Sequence, residues 1–305
     1  MKNHEASPAL DGGMNERGRP RPSWFKRLMA QEDLNFLLTN RVPRIALTKL
    51  MGRFSRIESP RLTKLTIAVW RWFIPLDLSE AKHTDFRSLK DCFTRELKAG
   101  SRVFDARQDV FASPSDAIIG ATGVVERGMV YQAKGFPYAT EELFGPTQDA
   151  SAFEGGRFVT LRLTSAMYHR FHAPADGTVE HVTYLSGDTW NVNPVALKRV
   201  ERLFCRNERA VVRMTLSSGH PIALVPVAAI LVASIRLHFL DVLLHLGRKG
   251  ANEMPCLAPH VKGQEMGWFE HGSTIIVFVP QGFELAEGIA PGVQIRAGQA
   301  LLRLS

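Results

Sequence analysis

The chain has 305 residues, of which 45% are hydrophobic and 22% charged, the balance of a globular protein with a sizeable core rather than of a disordered chain. Its formal charge is +8, and the whole excess lies in residues 1–72, which hold fourteen Lys or Arg against six Asp or Glu. Cys92, Cys205 and Cys256 have no CxxC or Cys/His spacing, which argues against a disulfide framework or a zinc site, and no apolar run reaches the ~18 residues of a spanning helix.

Residues 1–28, with Asp11-Gly-Gly and Arg17-Gly-Arg-Pro-Arg-Pro22, read as a disordered basic tail. Their acids, Glu5, Asp11 and Glu16, fit neither a secretory signal nor a mitochondrial transit peptide. Residues 29–100 read as a helical region. Leu34, Leu37 and Leu38 begin one apolar stripe; Ile45, Leu47, Leu50, Met51 and Phe54 continue it among Arg41, Arg44, Lys49, Arg53 and Arg56. A second stripe runs Leu62, Leu65, Val69, Phe73, edged by Trp70 and Trp72. Basic amphipathic helices with aromatic edges suit a membrane interface; the plainer reading is that they pack on their own domain. Residues 78–98 are predicted to hold a further helical piece.

From about residue 101 the character becomes β-rich. Short segments, among them Phe158 to Leu163, Thr178 to Leu185, Ala210 to Leu216 and Ile222 to Ile235, alternate with Gly, Pro and Asp turns, the spacing of a sandwich or barrel. The stretch Asn193 to Arg206 interrupts them with helical or loop character. The predicted fold class is therefore α+β, with N-terminal amphipathic helices followed by a β-rich domain over residues 101–305.

Three constellations could carry chemistry. Ser113-Pro-Ser-Asp116 puts a carboxylate at a turn before a strand. Tyr168-His-Arg-Phe-His-Ala-Pro174 holds two histidines at i and i+3, which on extended backbone face different partners. Gly272-Ser273-Thr274 places a hydroxyl after a small residue and before the apolar run Ile275 to Val279. A carboxylate, an imidazole and a hydroxyl are the parts of a base-activated nucleophile. Taken singly, each has a commoner structural explanation, since Asp after Ser-Pro is usually a turn residue and Gly-Ser-Thr entering a strand is usually a turn.

Together these pieces resemble the phosphatidylserine decarboxylase proenzyme family, the pyruvoyl-dependent enzymes of bacterial type. In family order stand Ser113-Pro-Ser-Asp116, Gln132-Ala-Lys-Gly135, Tyr168 to Pro174, Gly187-Asp-Thr-Trp-Asn-Val-Asn-Pro194, Leu203-Phe-Cys-Arg-Asn-Glu-Arg209, Lys262-Gly-Gln-Glu-Met-Gly267 and Gly272-Ser-Thr274. The resemblance spans roughly residues 35–303. It departs at Ala117, where the family often has Gly, and at His271, where it often has Leu or Val.

The resemblance implies self-cleavage between Gly272 and Ser273 into a β chain, residues 1–272, and an α chain, residues 273–305. Ser273 is the implied nucleophile, His172 its general base and Asp116 the group that orients His172. Ser273 becomes a covalent pyruvoyl group, the implied cofactor and Schiff-base site, and His169 assists decarboxylation or binds the substrate carboxylate. The implied reaction converts phosphatidylserine in an anionic membrane to phosphatidylethanolamine and carbon dioxide. No metal, PLP, nicotinamide or nucleic-acid partner is implied. A homodimer, a peripheral place on the cytoplasmic face of the inner membrane, and barrel-sandwich (lipoyl-like) hybrid character in the core are implied as well. Rival readings are a serine hydrolase, which lacks a Gly-x-Ser-x-Gly elbow, a lipoyl-type carrier, for which Lys262 has the wrong flanks, and a basic nucleic-acid binder without a binding motif.

Overall fold

The computed structural model describes residues 31–132, 135–147, 149–231, 234–248, 252–270 and 274–305. The expected tail at 1–28, and His271, Gly272 and Ser273, lie outside the described residues. Three N-terminal helices come first: α1 (Glu32–Asn40), α2 (Arg44–Ser55) and α3 (Pro60–Trp70). Glu32 and Asp33 sit in the first turn of α1, where carboxylates offset the helix dipole. Ser59 caps α3 by accepting from the Leu62 N–H, with Pro60 preset for the first turn.

The piece predicted over 78–98 is helical only at α4 (Leu89–Phe93). Ser88 accepts from the Asp91 N–H to start it. Upstream, Ala81 instead bridges Leu97 as a strand-like pair. The cause is packing: Leu76, Leu78, Phe86, Leu89 and Phe93 gather with Ile67 of α3 into a second small core, which a continuous helix would spread over several faces.

The strands follow in order: β1 (Val110–Ala112), β2 (Ala117–Glu126), β3 (Met129–Val130), β4 (Tyr138–Ala139), β5 (Arg157–Arg162), β6 (Arg170–His172), β7 (Gly177–Leu185), β8 (Arg209–Leu216), β9 (Pro221–Val227), β10 (Ile235–Leu237), β11 (Val242–Leu244), β12 (Glu253–His260), β13 (Glu265–Phe269), β14 (Thr274–Val279), β15 (Phe283–Leu285), β16 (Gln294–Ile295) and β17 (Ala300–Leu304). Short helices α5 (Thr140–Phe144), α6 (Pro194–Leu197) and α7 (Leu203–Arg206) interrupt them, the last two where a helical break was expected.

The strands form one large antiparallel sheet, ordered β12-β7-β8-β9-β14-β5-β2-β3-β4 with β16 on β2, and two smaller sheets, β11-β10-β13-β6 and β1-β17-β15. The fold is thus α+β. The pairing of the described strands leaves the large sheet open between β12 and β4, so it does not show the expected barrel-sandwich detail. β14 is buried at every position and lies between β9 and β5, which explains its unbroken apolar, β-branched sequence. On β13, Gly267 is required, since a Cβ there would stand 1.9 Å from the Arg236 carbonyl oxygen.

Candidate active site

The small sheet β11-β10-β13-β6 brings the histidine segment beside the strand that leads to residue 270. Trp268 pairs with Arg170, and the Phe269 N–H donates to the His169 carbonyl at 3.0 Å. The Ser113–Asp116 turn docks on the same segment. The His172 N–H donates to the Pro114 carbonyl at 2.8 Å, and the Ala112 N–H to the Pro174 carbonyl at 2.9 Å. Ser113 Oγ donates to the Ser115 carbonyl and closes the turn. Two of the three constellations, separated by more than fifty residues, therefore meet by backbone hydrogen bonds. The third lies outside the described residues at Gly272 and Ser273. Thr274, bonded to residue 273, opens β14 opposite Arg162 and Val227.

His169 and His172 face different surroundings, as extended backbone predicts. His169 is fully buried, its ring edge-on to Phe93 of the small helical core at 5.6 Å. His172 is largely buried against Phe104, with ring centroids 5.4 Å apart.

The His172 ring has partners other than the one the resemblance implies. Nδ1 lies 3.0 Å from the Gly263 carbonyl and Nε2 lies 3.1 Å from the Tyr168 hydroxyl. A carbonyl only accepts, so Nδ1 carries the proton and Nε2 presents its lone pair to the Tyr168 O–H. Gly263 has φ +84°, and this left-handed turn is where its carbonyl meets His172. Burial holds the imidazole below its ordinary pKa, with the Gly263 hydrogen bond opposing the shift. The neutral, base-competent form is the favoured one.

Asp116 does not orient His172 by a direct bond. Its carboxylate forks onto Arg102, with Oδ1 2.7 Å from Nε, and also accepts from the Ala297 N–H at 3.0 Å. Arg102 further pairs with Glu80 at 2.9 Å and lies 5.8 Å over the Tyr168 ring. The physical reason is charge: a largely buried carboxylate beside a guanidinium gains more from a bidentate ion pair than from a neutral imidazole. Asp116 is thus joined to His172 in sequence through Arg102 and Tyr168. Arg102 and Tyr168 were assigned no role from the sequence. Tyr168 stands inside the histidine motif and could have been found there; Arg102 has no local signal, because only the fold brings it to Asp116.

A cavity of about 360 Å³ opens against His172, lined by Arg102, Tyr168, Arg170, Gly263 and Glu265 among others. Arg170 and Glu265 pair at 2.9 Å, and His238 lies 3.0 Å from Glu265. The hydroxyls of Thr274, which opens β14, and of Thr160 on β5 are buried without a hydrogen-bond partner among the described residues. Arg162 faces Thr274 in register, and burial lowers its pKa. Among the described residues no group of three or more His, Cys, Asp or Glu is placed to hold a metal ion.

A profile of the phosphatidylserine decarboxylase family matches residues 89–303. The phosphatidylserine decarboxylase proenzyme of Shewanella frigidimarina is 35% identical over 288 residues, 90% of this chain and 99% of the relative. That of Vibrio cholerae serotype O1 is 37% identical over 273 residues, 85% of this chain and 94% of the relative.

Proposed function

The chain belongs to the phosphatidylserine decarboxylase family of carboxy-lyases, and we propose that it acts on phosphatidylserine through a pyruvoyl group made from its own Ser273. It is a decarboxylase made as a proenzyme. In the proposed processing, His172 Nε2 takes the hydroxyl proton of Ser273 as its oxygen attacks the Gly272 carbonyl. The resulting ester breaks by β-elimination, which frees residues 1–272 with a carboxylate end. The dehydroalanine at position 273 takes up water and loses ammonia to leave the ketone that begins the α chain, residues 273–305.

The observation that carries this reading is the tautomer of His172. A ring proton committed to Gly263 leaves a buried, neutral Nε2 that accepts from the Tyr168 O–H, a contact it would exchange for the Ser273 hydroxyl. The Thr274 hydroxyl, which is buried without a hydrogen-bond partner among the described residues and stands next to position 273 in the chain, can donate to the carbonyl oxygen of a new keto group. The group supplies an electron sink, which decarboxylation of an amino acid needs and no ordinary side chain offers. His169, fully buried and holding the Phe269 N–H through its carbonyl, is the residue proposed to assist at the substrate carboxylate.

The substrate stays in its bilayer, so the enzyme must sit on the membrane. No helix of the described residues is long and apolar enough to cross a membrane. Helices α2 and α3 turn Thr48, Gly52, Ser55 and Thr63 inward while Leu50 and Leu65 stand 61% and 63% exposed. Ile67 packs inward with them, so these helices rest on the domain, and the outward apolar face, which also includes exposed Leu37, Leu38 and Trp72, supports docking on lipid. Residues 29–100 are the proposed docking region, and the cytoplasmic face of the inner membrane the proposed location.

Intact mass of the purified protein beside Ser273→Ala tests the chemistry. The expected result is two chains broken at Gly272, the smaller with a ketone-reactive first residue, and one chain for the variant. A single full-length wild-type chain would refute it.

A further inference from the structure

Glu270 stands two residues before Gly272 and its side chain has no solvent exposure. Its carboxylate meets two cations, both from the N-terminal helical region. Arg56, the C-cap residue that follows α2, places Nη2 at 2.8 Å, and Lys90 of α4 places Nζ at 3.0 Å. Its backbone N–H donates to the Ser234 carbonyl at 3.1 Å. The residue before it, Phe269, is tied to the His169 carbonyl. The upstream approach to the Gly272–Ser273 bond is therefore anchored to the histidine segment through its backbone and to the helical region through its charge.

A buried ion pair adds little net stability, because desolvation offsets most of the attraction. What it does supply is a defined geometry, since a buried carboxylate deprived of its cations is strongly unfavourable. Arg56 and Lys90 reach Glu270 from different elements, and their positions together fix where the carboxylate sits. Any shift of Glu270 moves one end of the segment that contains the scissile bond.

We infer that Glu270 is a positioning residue for self-cleavage, through which the N-terminal helices hold the upstream side of the Gly272–Ser273 bond. The inference rests on the self-cleavage proposed above. It makes the lipid-docking region part of the processing machinery as well, so that processing requires the helices to be in place.

The test uses the full chain. Arg56→Gln, Lys90→Gln and Glu270→Gln are made in the wild-type chain, where intact mass after cell-free synthesis follows the appearance of residues 1–272. The same variants are made with Ser273→Ala, where thermal melting reports on an uncleaved fold. Each is expected to slow cleavage about tenfold or more, as loss of a buried charge partner should. The melts of the Ser273→Ala series should fall as buried charge partners are lost, but each variant should stay folded at the temperature of the cleavage assay. The double variant Arg56→Gln/Glu270→Gln should be no slower than Glu270→Gln alone, because the residues act in one network. Wild-type rates in Arg56→Gln and Glu270→Gln would overturn the inference, as would additive losses that track the loss of folded protein. Should Glu270→Gln fail to fold, Arg56→Gln decides alone, since the Arg56 side chain is 46% exposed and tolerates the change. A wild-type chain that never cleaves instead refutes the self-cleavage reading, and with it this inference.

Discussion

The Gly263 carbonyl oxygen lies 3.0 Å from Nδ1 of His172, and this contact decides which ring nitrogen is the base. Processing should therefore need no protonated imidazole. Burial lowers the His172 pKa from 6.5, so the cleavage rate is expected to rise with pH through that lowered value and to level off before pH 6.5. His172→Ala should block cleavage. Time courses of chain breakage from pH 4.5 to 8 check this; a rate still climbing above pH 7 would place the base elsewhere.

Arg102 links Asp116 to the Tyr168 ring, so Asp116 is expected to act through it. Both partners are 9% exposed at the side chain. Removing one member of such a pair costs about 3–5 kcal/mol. Arg102→Ala and Asp116→Asn should both lower the urea midpoint in the Ser273→Ala chain and slow cleavage in the wild-type chain. Normal processing by Arg102→Ala would show that Asp116 reaches His172 by another route.

His169 packs on Phe93 and is separated in function from His172 in the proposed chemistry. His169→Ala is expected to leave two chains on a mass spectrum while phosphatidylethanolamine production falls by about a hundredfold, the lower part of the range for loss of a proton-transfer group. Finding the reverse, blocked cleavage with His169→Ala and normal cleavage with His172→Ala, would exchange the two roles.

Glu208 is buried, and burial pushes its carboxyl up to about 7 from 4.5. The folded chain thus holds a proton that the unfolded chain releases. This contribution is fully present below pH 4.5 and is lost as pH rises through 7, by about 3 kcal/mol in all. Glu208→Gln should flatten the fall in stability between pH 5 and 8, read from denaturant midpoints in the Ser273→Ala background. An unchanged slope would locate that dependence in other groups.

Leu50 and Leu65 point outward from α2 and α3. Burial of one leucine in a lipid interface is worth about 1.5–3 kcal/mol, so Leu50→Glu and Leu65→Glu should each weaken sedimentation with phosphatidylserine vesicles about tenfold or more. Cleavage should persist in both. Point variants suit this question better than truncation, because removing α2 and α3 also strips Glu270 of Arg56. Equal sedimentation of variant and wild type would point away from these helices as the docking face.

The periodicity of the chain was enough for the helices before residue 73 and for most strands of the large sheet, because helical and extended backbones each impose a local spacing on apolar residues. The seven short segments in order were enough to identify the family, since each is local in the chain. The helix expected over 78–98 was overestimated, because the second core recruits Leu76, Leu78 and Phe86 in a non-helical arrangement that no local pattern records.

Contacts across long separations were decided by tertiary structure alone. Arg102 pairs with the Asp116 carboxylate, and a backbone carbonyl accepts from the His172 Nδ1–H, because a buried charge seeks an opposite charge and a carbonyl has no side chain to betray its role in a sequence. Arg56 and Lys90 converge on Glu270 from 214 and 180 residues away for the same reason: the energy of a buried charge depends on which groups surround it in space, and spacing along the chain does not encode that.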